Sequence, residues 1–380
     1  MAGLVVVLII FGCVAYQYLK GTLVKAFATI IIAICASVVA FGYFEVLANV
    51  FVSRSDNSRF LSIVPWAQSL SFVLLFVLAF AILQTITIYL TRQPVDFGLW
   101  PERVGRTVCG AFLGLILSGL LLTALAMAPL PTKWPYQRFD RRNPDVENPG
   151  KVLLNTDGFA TGWFSIVSGG SFSGKKSFAT LHPNFLDQVF LNRHNVADDV
   201  SIVTSSQAIE MPRKREMAAC WLAHEDIKDS DGSPLRESRH NLTIVRVGIK
   251  RSALKTDAII DGGTFTFSQL RLVCKRESDA ENLLGKGKNI YPIGYLKTAD
   301  QLQIARLNDR IKLKRGDFDD RVKVRWIDFA FYVPDNFRPV LVEFKQNSIA
   351  AVPPPVSAEQ APPPATFIPL YEREKDAEKP

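Results

Sequence analysis

Four long apolar runs open the chain, and past about residue 130 they give way to short segments of a different period. The runs cover residues 2–19, 23–44 with an apolar continuation toward Val52, 66–90 and 107–130. A hydrocarbon layer takes about 20 helical residues to cross, so each run is a candidate membrane span. Lys20, Lys25, Arg54, Asp56, Arg59, Arg92, Asp96, Glu102, Arg103 and Arg106 fall at the ends of the runs or between them. A charge placed there avoids the cost of desolvation at the bilayer centre. Trp66, Tyr89, Trp100 and Trp134 flank the third and fourth runs, where amphipathic rings sit at headgroup level. The first run is expected to stay attached as a helix, because Met1-Ala2-Gly3-Leu4 lacks the basic residues that precede the apolar part of a signal peptide.

Beyond the runs the pattern turns over twice. Residues 131–151, with Pro135, Pro144 and Pro149 among alternating charges, are expected to form a linker. Residues 152–240 read as a mixed juxtamembrane segment. Its Asp157-Gly158-Phe159-Ala160-Thr161-Gly162-Trp163-Phe164 stretch suits an element lying on headgroups, and residues 183–193 carry Phe185, Leu186, Val189 and Phe190 on one face of a short helix. From about Asn241 the period becomes two. Residues 242–247, 264–267, 322–326, 329–333 and 340–344 are β-type runs, separated by turn formers such as Asp261-Gly262-Gly263 and Pro334-Asp335-Asn336. The expected fold is therefore an α-helical membrane bundle of four transmembrane helices (residues 1–130), followed by a mostly β soluble domain at 241–350. That domain is expected to be an antiparallel sandwich with a weak likeness to immunoglobulin-like envelope domains. Residues 351–380, with 8 prolines, are expected to be an extended, disordered tail.

Charge sharpens this division. Residues 1–130 hold 7 Lys/Arg and 4 Asp/Glu, against 37 and 32 in the rest, so the net charge of +8 is spread thinly and contains no nucleic-acid-binding block. With both termini outside, the two cytoplasmic loops carry Lys20, Lys25, Arg92, Arg103 and Arg106, against Arg54 and Arg59 outside. This favours extracytoplasmic termini, although Lys133, Arg138, Arg141 and Arg142 pull the other way.

Within the runs, Gly110-Ala111-Phe112-Leu113-Gly114 is a GxxxG, and Ser118 extends its small face. Such a face lets another helix approach closely, with packing inside the chain favoured over contact with a second copy. Gln17, Glu45, Gln84 and Thr87 are the polar groups at depth, and Glu45 is the one carboxylate placed to reach the hydrocarbon region.

Ala15-Tyr16 before Lys20-Gly21, an immediate second helix, a third, and a last helix opening Val104-Gly105-Arg106 and continuing through Gly110 to Gly114 resemble the colicin V production protein (CvpA) family over residues 1–130. The first helix lacks the early Asp common in that family. The resemblance implies a multi-pass protein of the cell inner membrane, linked to toxin production or export and to envelope homeostasis. Its partners would be the lipid bilayer and other envelope proteins. Some relatives carry a trypsin-like protease on the extracytoplasmic side.

No catalytic site, metal site or cofactor is expected. The segment Gly169-Gly170-Ser171-Phe172-Ser173-Gly174-Lys175-Lys176-Ser177 departs from a P-loop, because Lys176 stands where the Mg²⁺-binding Ser or Thr belongs. His182, His194, His224 and His240 are the only histidines, and no serine sits in a Gly-Asp-Ser-Gly-Gly context. Cys220 and His224 have no second pair at metal-ligand spacing. Cys220 and Cys274 are a candidate disulfide if the domain lies in an oxidising compartment. The leading expectation is an extracytoplasmic binding or scaffolding domain on a membrane anchor. The alternatives are a component of a small-solute or toxin transporter and a membrane-anchored envelope enzyme.

Overall fold

A computed structural model describes residues 1–53, 63–90, 98–169, 177–194, 200–213, 217–254, 262–318 and 323–371. Arg54, Asp56, Arg59, Arg92, Asp96, Lys175 and Lys176 lie outside these. Four apolar helices, α1 (Ala2–Lys20), α2 (Leu23–Ser53), α3 (Ala67–Leu90) and α4 (Leu99–Met127), are each long and apolar enough to cross a membrane. Helix α4 begins eight residues before its apolar run. Gly98 takes a left-handed φ of 86° as its N-cap, Pro101 fits the first turn, and Glu102 pairs with Arg106 one turn on at 2.7 Å. The Glu102 carboxylate also accepts a hydrogen bond from the Leu23 amide at 3.0 Å, which ties the start of α4 to the start of α2.

The GxxxG face is spent inside the chain. A Cβ at Gly110 would come within 2.7 Å of Val14 Cα, and one at Gly114 within 2.5 Å of Ile10 Cα, so the α1 backbone occupies the groove that the two glycines leave. Ser118 is fully buried on the same helix. The packing inside the chain expected for this face is thus made by α1.

Residues 128–155 return along the bundle, and α5 (Thr156–Gly169) packs on α4 and α2. A Cβ at Gly119 would collide with the Thr156 carbonyl, so that glycine sets the closeness of the crossing. Two short helices follow, α6 (Phe178–Leu181) and α7 (Phe185–Asn192). All eight residues of α7 are buried, including the four expected on its apolar face.

The remainder is antiparallel β. One sheet has the order β1 (Ile209–Glu210), β3 (His240–Lys250), β10 (Val324–Pro334), β7 (Gly294–Leu296), β8 (Leu302–Ile304), with β2 (Cys220–Leu222) also on β3. A second has the order β12 (Ser348–Ala351), β11 (Phe337–Phe344), β5 (Leu270–Arg276), β6 (Lys288–Ile290), and β4 (Gly262–Thr266) pairs with β9 (Arg310–Lys314) as a separate ribbon. Val245, Val247, Phe329 and Phe331 from the first sheet meet Leu272, Val342 and Phe344 from the second in one core, to which the ribbon adds Phe265 and Ile311. From Val324 on, the runs expected at 322–326 and 329–333 are one strand, β10, because Asp328 between them is a cross-strand partner and not a turn; residue 322 lies outside the described residues.

The tail departs from expectation. Residues through Tyr371 lie along the β region, and those beyond it are outside the described set. The Phe367 ring stacks on Tyr295 at 5.4 Å, the Tyr295 hydroxyl donates to the Ile368 carbonyl at 2.6 Å, and the Tyr371 amide donates to the Arg310 carbonyl at 2.8 Å. Proline keeps this strap extended, and the apolar residues between the prolines give it something to bury.

Candidate functional site

The outer face of the four-stranded sheet is where the two halves of the molecule meet. Along β11, Val342 and Phe344 point into the inter-sheet core, so Glu343 points to the opposite face. There it lies directly across from Arg271 of β5 in the strand register, and the two side chains form an ion pair. Solvent does not reach this face, because α6 and α7 cover it.

Helix α6 owes its place to Ser177, which accepts from the Thr180 amide at 3.1 Å and donates to the Gly285 carbonyl at 2.6 Å. It ends at His182, and Asn184 with φ of 54° turns the chain into α7. The C-terminal carbonyls of α7 are met from the β region: Ser268 Oγ donates to Leu191 O at 3.1 Å and Gln269 Nε2 to Asn192 O at 2.9 Å. On its other side Phe185 packs edge-on to Phe41 and Phe44 of α2, with ring centroids 6.1 and 5.9 Å apart.

This placement completes a buried polar ladder. Glu45 Oε1 of α2 lies 2.8 Å from His182 Nε2, and His182 Nδ1 lies 3.0 Å from Gln188 Oε1. Gln188 Nε2 donates to Glu343, which pairs with Arg271; Arg271 also donates to Leu181 O at 2.6 Å and Asn289 Oδ1 at 2.5 Å. His182 is 2% exposed, so its ionisation is set by its neighbours. Burial alone would lower its pKa, but the Glu45 and Glu343 carboxylates outweigh that and hold it above 6.5. Burial raises the Glu343 pKa above its usual 4.5, against the opposing pull of Arg271 and His182.

A second chain of contacts runs beside it through the segment expected to be a linker. Arg138 Nε donates to Asp187 Oδ1 of α7 at 2.6 Å, and its Nη1 donates to the Tyr136 hydroxyl at 3.0 Å. Tyr136 in turn donates to Asp157 of α5. Arg193, just past α7, donates to Leu125 O in the last turn of α4 at 3.2 Å and lies 4.4 Å over the Phe190 ring. Burial lowers its pKa to about 10. A cavity of about 620 Å³ opens between α5, α6 and α7, and Arg138, His182 and Asp187 stand in its wall.

This arrangement joins elements. It does not assemble a reacting pair. His182 Nε2 faces the Glu45 carboxylate, Nδ1 contacts Gln188 and Arg271, and no described serine, threonine or cysteine side chain hydrogen-bonds to the ring. Among the described residues no group of three or more His, Cys, Asp and Glu side chains is placed to hold a metal. Cys220 lies on strand β2, so it shares no helical face with His224.

Of the residues singled out in the sequence, Glu45 reaches the ladder and the other intramembrane polar residues do not join it. Gln17 is buried three residues from the far end of α1, where its side chain meets Gly21. Gln84 and Thr87 lie in the far third of α3. The four therefore do not form one polar path. Cys220 and Cys274 are buried free thiols in the same inter-sheet core, and burial pushes the Cys220 thiol up to about 12. The residues that sequence reasoning missed are Arg271, Glu343, Arg138, Asp187, Gln188 and His182. For Arg271 and Glu343 the available signal was a lone charge inside an apolar strand run. Comparison with protein-family models, curated proteins and solved structures gave no match, so nothing there identifies a CvpA module.

Proposed function

We propose that this protein is a polytopic membrane anchor that holds a β-rich binding or scaffolding region at a fixed orientation on one membrane face, and that this face is extracytoplasmic. The single observation that carries the proposal is the ladder from Glu45 of an apolar helix through His182 and Gln188 to Glu343 and Arg271 of a sheet. A β region that merely trailed from its anchor would need only a linker. One that must present a surface at a set distance and angle from lipid needs fastening of this kind. The loop charges favour the extracytoplasmic side. The likeness of residues 1–130 to the CvpA family supplies the setting, namely the cell inner membrane, toxin production or export and envelope homeostasis. The face-to-face sheets are compatible with an immunoglobulin-like binding domain, and the role assigned is binding, not catalysis.

A fusion of alkaline phosphatase after Pro380, made in a bacterial host, tests the side. The expected result is an active phosphatase. An inactive fusion, together with an active cytoplasmic reporter at the same position, would reverse the orientation.

A further inference from the structure

Helix α5 has 14 residues, about 21 Å of helix, which is too short to cross a hydrocarbon layer of about 30 Å. Its position is nevertheless that of a membrane element. The Thr156 carbonyl rests on Gly119, eight residues or about 12 Å back from the end of α4, and the Phe159 ring meets Phe112 of α4 edge-on at 5.8 Å. Two of its polar side chains turn inward onto partners: Asp157 accepts from Tyr136, and Thr161 Oγ1 donates to Asp157 O at 2.8 Å. Its outward face is Phe159, Trp163 and Ile166, of which Ile166 is 73% exposed. A helix that turns polar side chains inward and presents large apolar side chains outward suits lipid.

Between α5, α2 and α4 lies a slot of about 160 Å³, lined by Ile34, Ser37, Ile116, Leu120, Phe159 and Trp163 among others. Of its side chains only Ser37 and the Trp163 indole carry a polar group, and the Ser37 hydroxyl is spent on the Ile34 carbonyl at 2.7 Å. The wall is otherwise apolar. It sits at mid-height of two candidate spans, and Phe159 and Trp163 belong both to its wall and to the exposed surface. What surrounds such a mouth at that depth is lipid tails. We propose that α5 is a fifth membrane-embedded helix, entering the apolar layer without crossing it, and that the slot it forms with α2 and α4 holds an acyl chain of a membrane lipid. This rests on the membrane placement of the four long helices.

The test uses the full-length protein in lipid nanodiscs doped with a phospholipid that carries a photoactivatable diazirine in mid-chain, with adducts mapped by mass spectrometry. Labelling at Phe159, Trp163 and Ile116 is expected several-fold above that on Val77 and Ile82, which face outward on α3. Ser37→Phe, which fills the slot, should bring slot labelling down to the α3 level and leave α3 unchanged; Ile116→Ala, which widens it, should raise slot labelling. Slot labelling no higher than that of α3, or the same in wild type and both variants, overturns the proposal. If α3 itself is unlabelled, the membrane placement fails, which is a separate result.

Discussion

Each of the two larger sheets carries, among the described residues, a buried arginine–carboxylate pair on its outer face, and in each case the pair fastens something from outside the sheet. Arg271 and Glu343 face each other across β5 and β11, and α6 and α7 bind over them. Arg246 and Asp328 face each other across β3 and β10, with a bidentate contact at 2.6 and 2.7 Å. Over them lies the proline-rich strap, whose Pro363 carbonyl accepts from Arg246 at 2.6 Å and whose Ala365 amide donates to Asp328 at 2.8 Å. The difference lies in what completes each site. The strap site is a self-sufficient pair finished by neutral backbone groups. The junction adds a second carboxylate, Glu45, and a histidine that neutralises it only when protonated. The same cross-strand device thus fastens backbone groups on one side and a histidine–carboxylate contact on the other.

The largest effect should come from removing one member of a pair. Arg271→Met leaves the buried Glu343 without its ion-pair partner, at a cost of about 3–5 kcal/mol. Thermal unfolding in detergent measures this, and limited proteolysis should show new cleavage near residues 177–194. Arg246→Met should cost a similar amount but expose residues 352–371 instead, so equal cleavage patterns in the two variants would dissolve the comparison.

Truncation after Ala361 leaves Arg246 and Asp328 still paired. It removes the two backbone partners and the Phe367 and Ile368 contacts, and is expected to cost roughly 1–3 kcal/mol by chemical denaturation.

A pH titration separates the sites by kind. His182 is held above its ordinary 6.5 and Glu343 above 4.5, so the folded junction binds protons more tightly than the unfolded chain does. Stabilisation from His182 is complete below about pH 6.5 and is lost as the pH rises through its folded value; the rise at Glu343 acts in the same direction from lower pH. Proteolysis at the junction should therefore increase as the pH rises above about 6.5, whereas the strap contacts named above include no histidine. His182→Gln should flatten the junction's response above about pH 6.

The smallest effect is expected at the exposed Arg236–Glu225 pair, 3.4 Å apart at the surface. Arg236→Ala should change stability by less than about 1 kcal/mol.

Much of the framework could be read from pattern alone, and the failures share a cause. Uninterrupted apolar stretches located α1 to α4, and the Phe185, Leu186, Val189, Phe190 spacing located α7, because burial on one face leaves a periodic trace. Strand β5 was missed although Leu270-Arg271-Leu272 alternates inside it, since Val273 puts an apolar residue on the outer face and breaks the alternation that a half-exposed strand would show. Its outer face is covered by helices, so the polar position there carries a buried partner and not a solvated side chain. The tail was misread for a related reason: its prolines suggest a free chain, whereas Phe367, Ile368 and Leu370 pack on the core. Glu45 stood out as an isolated carboxylate, but its partner is 137 residues away in the chain, and no spacing rule connects Glu45 to His182.

The apolar bundle and the β region meet through the Glu45–His182 contact. A double-mutant cycle of Glu45→Gln and His182→Gln, read by unfolding in detergent at about pH 6, tests whether that contact fastens them. Contact predicts a coupling of about 0.5–3 kcal/mol between the two substitutions; effects that add to within about 0.5 kcal/mol would contradict it.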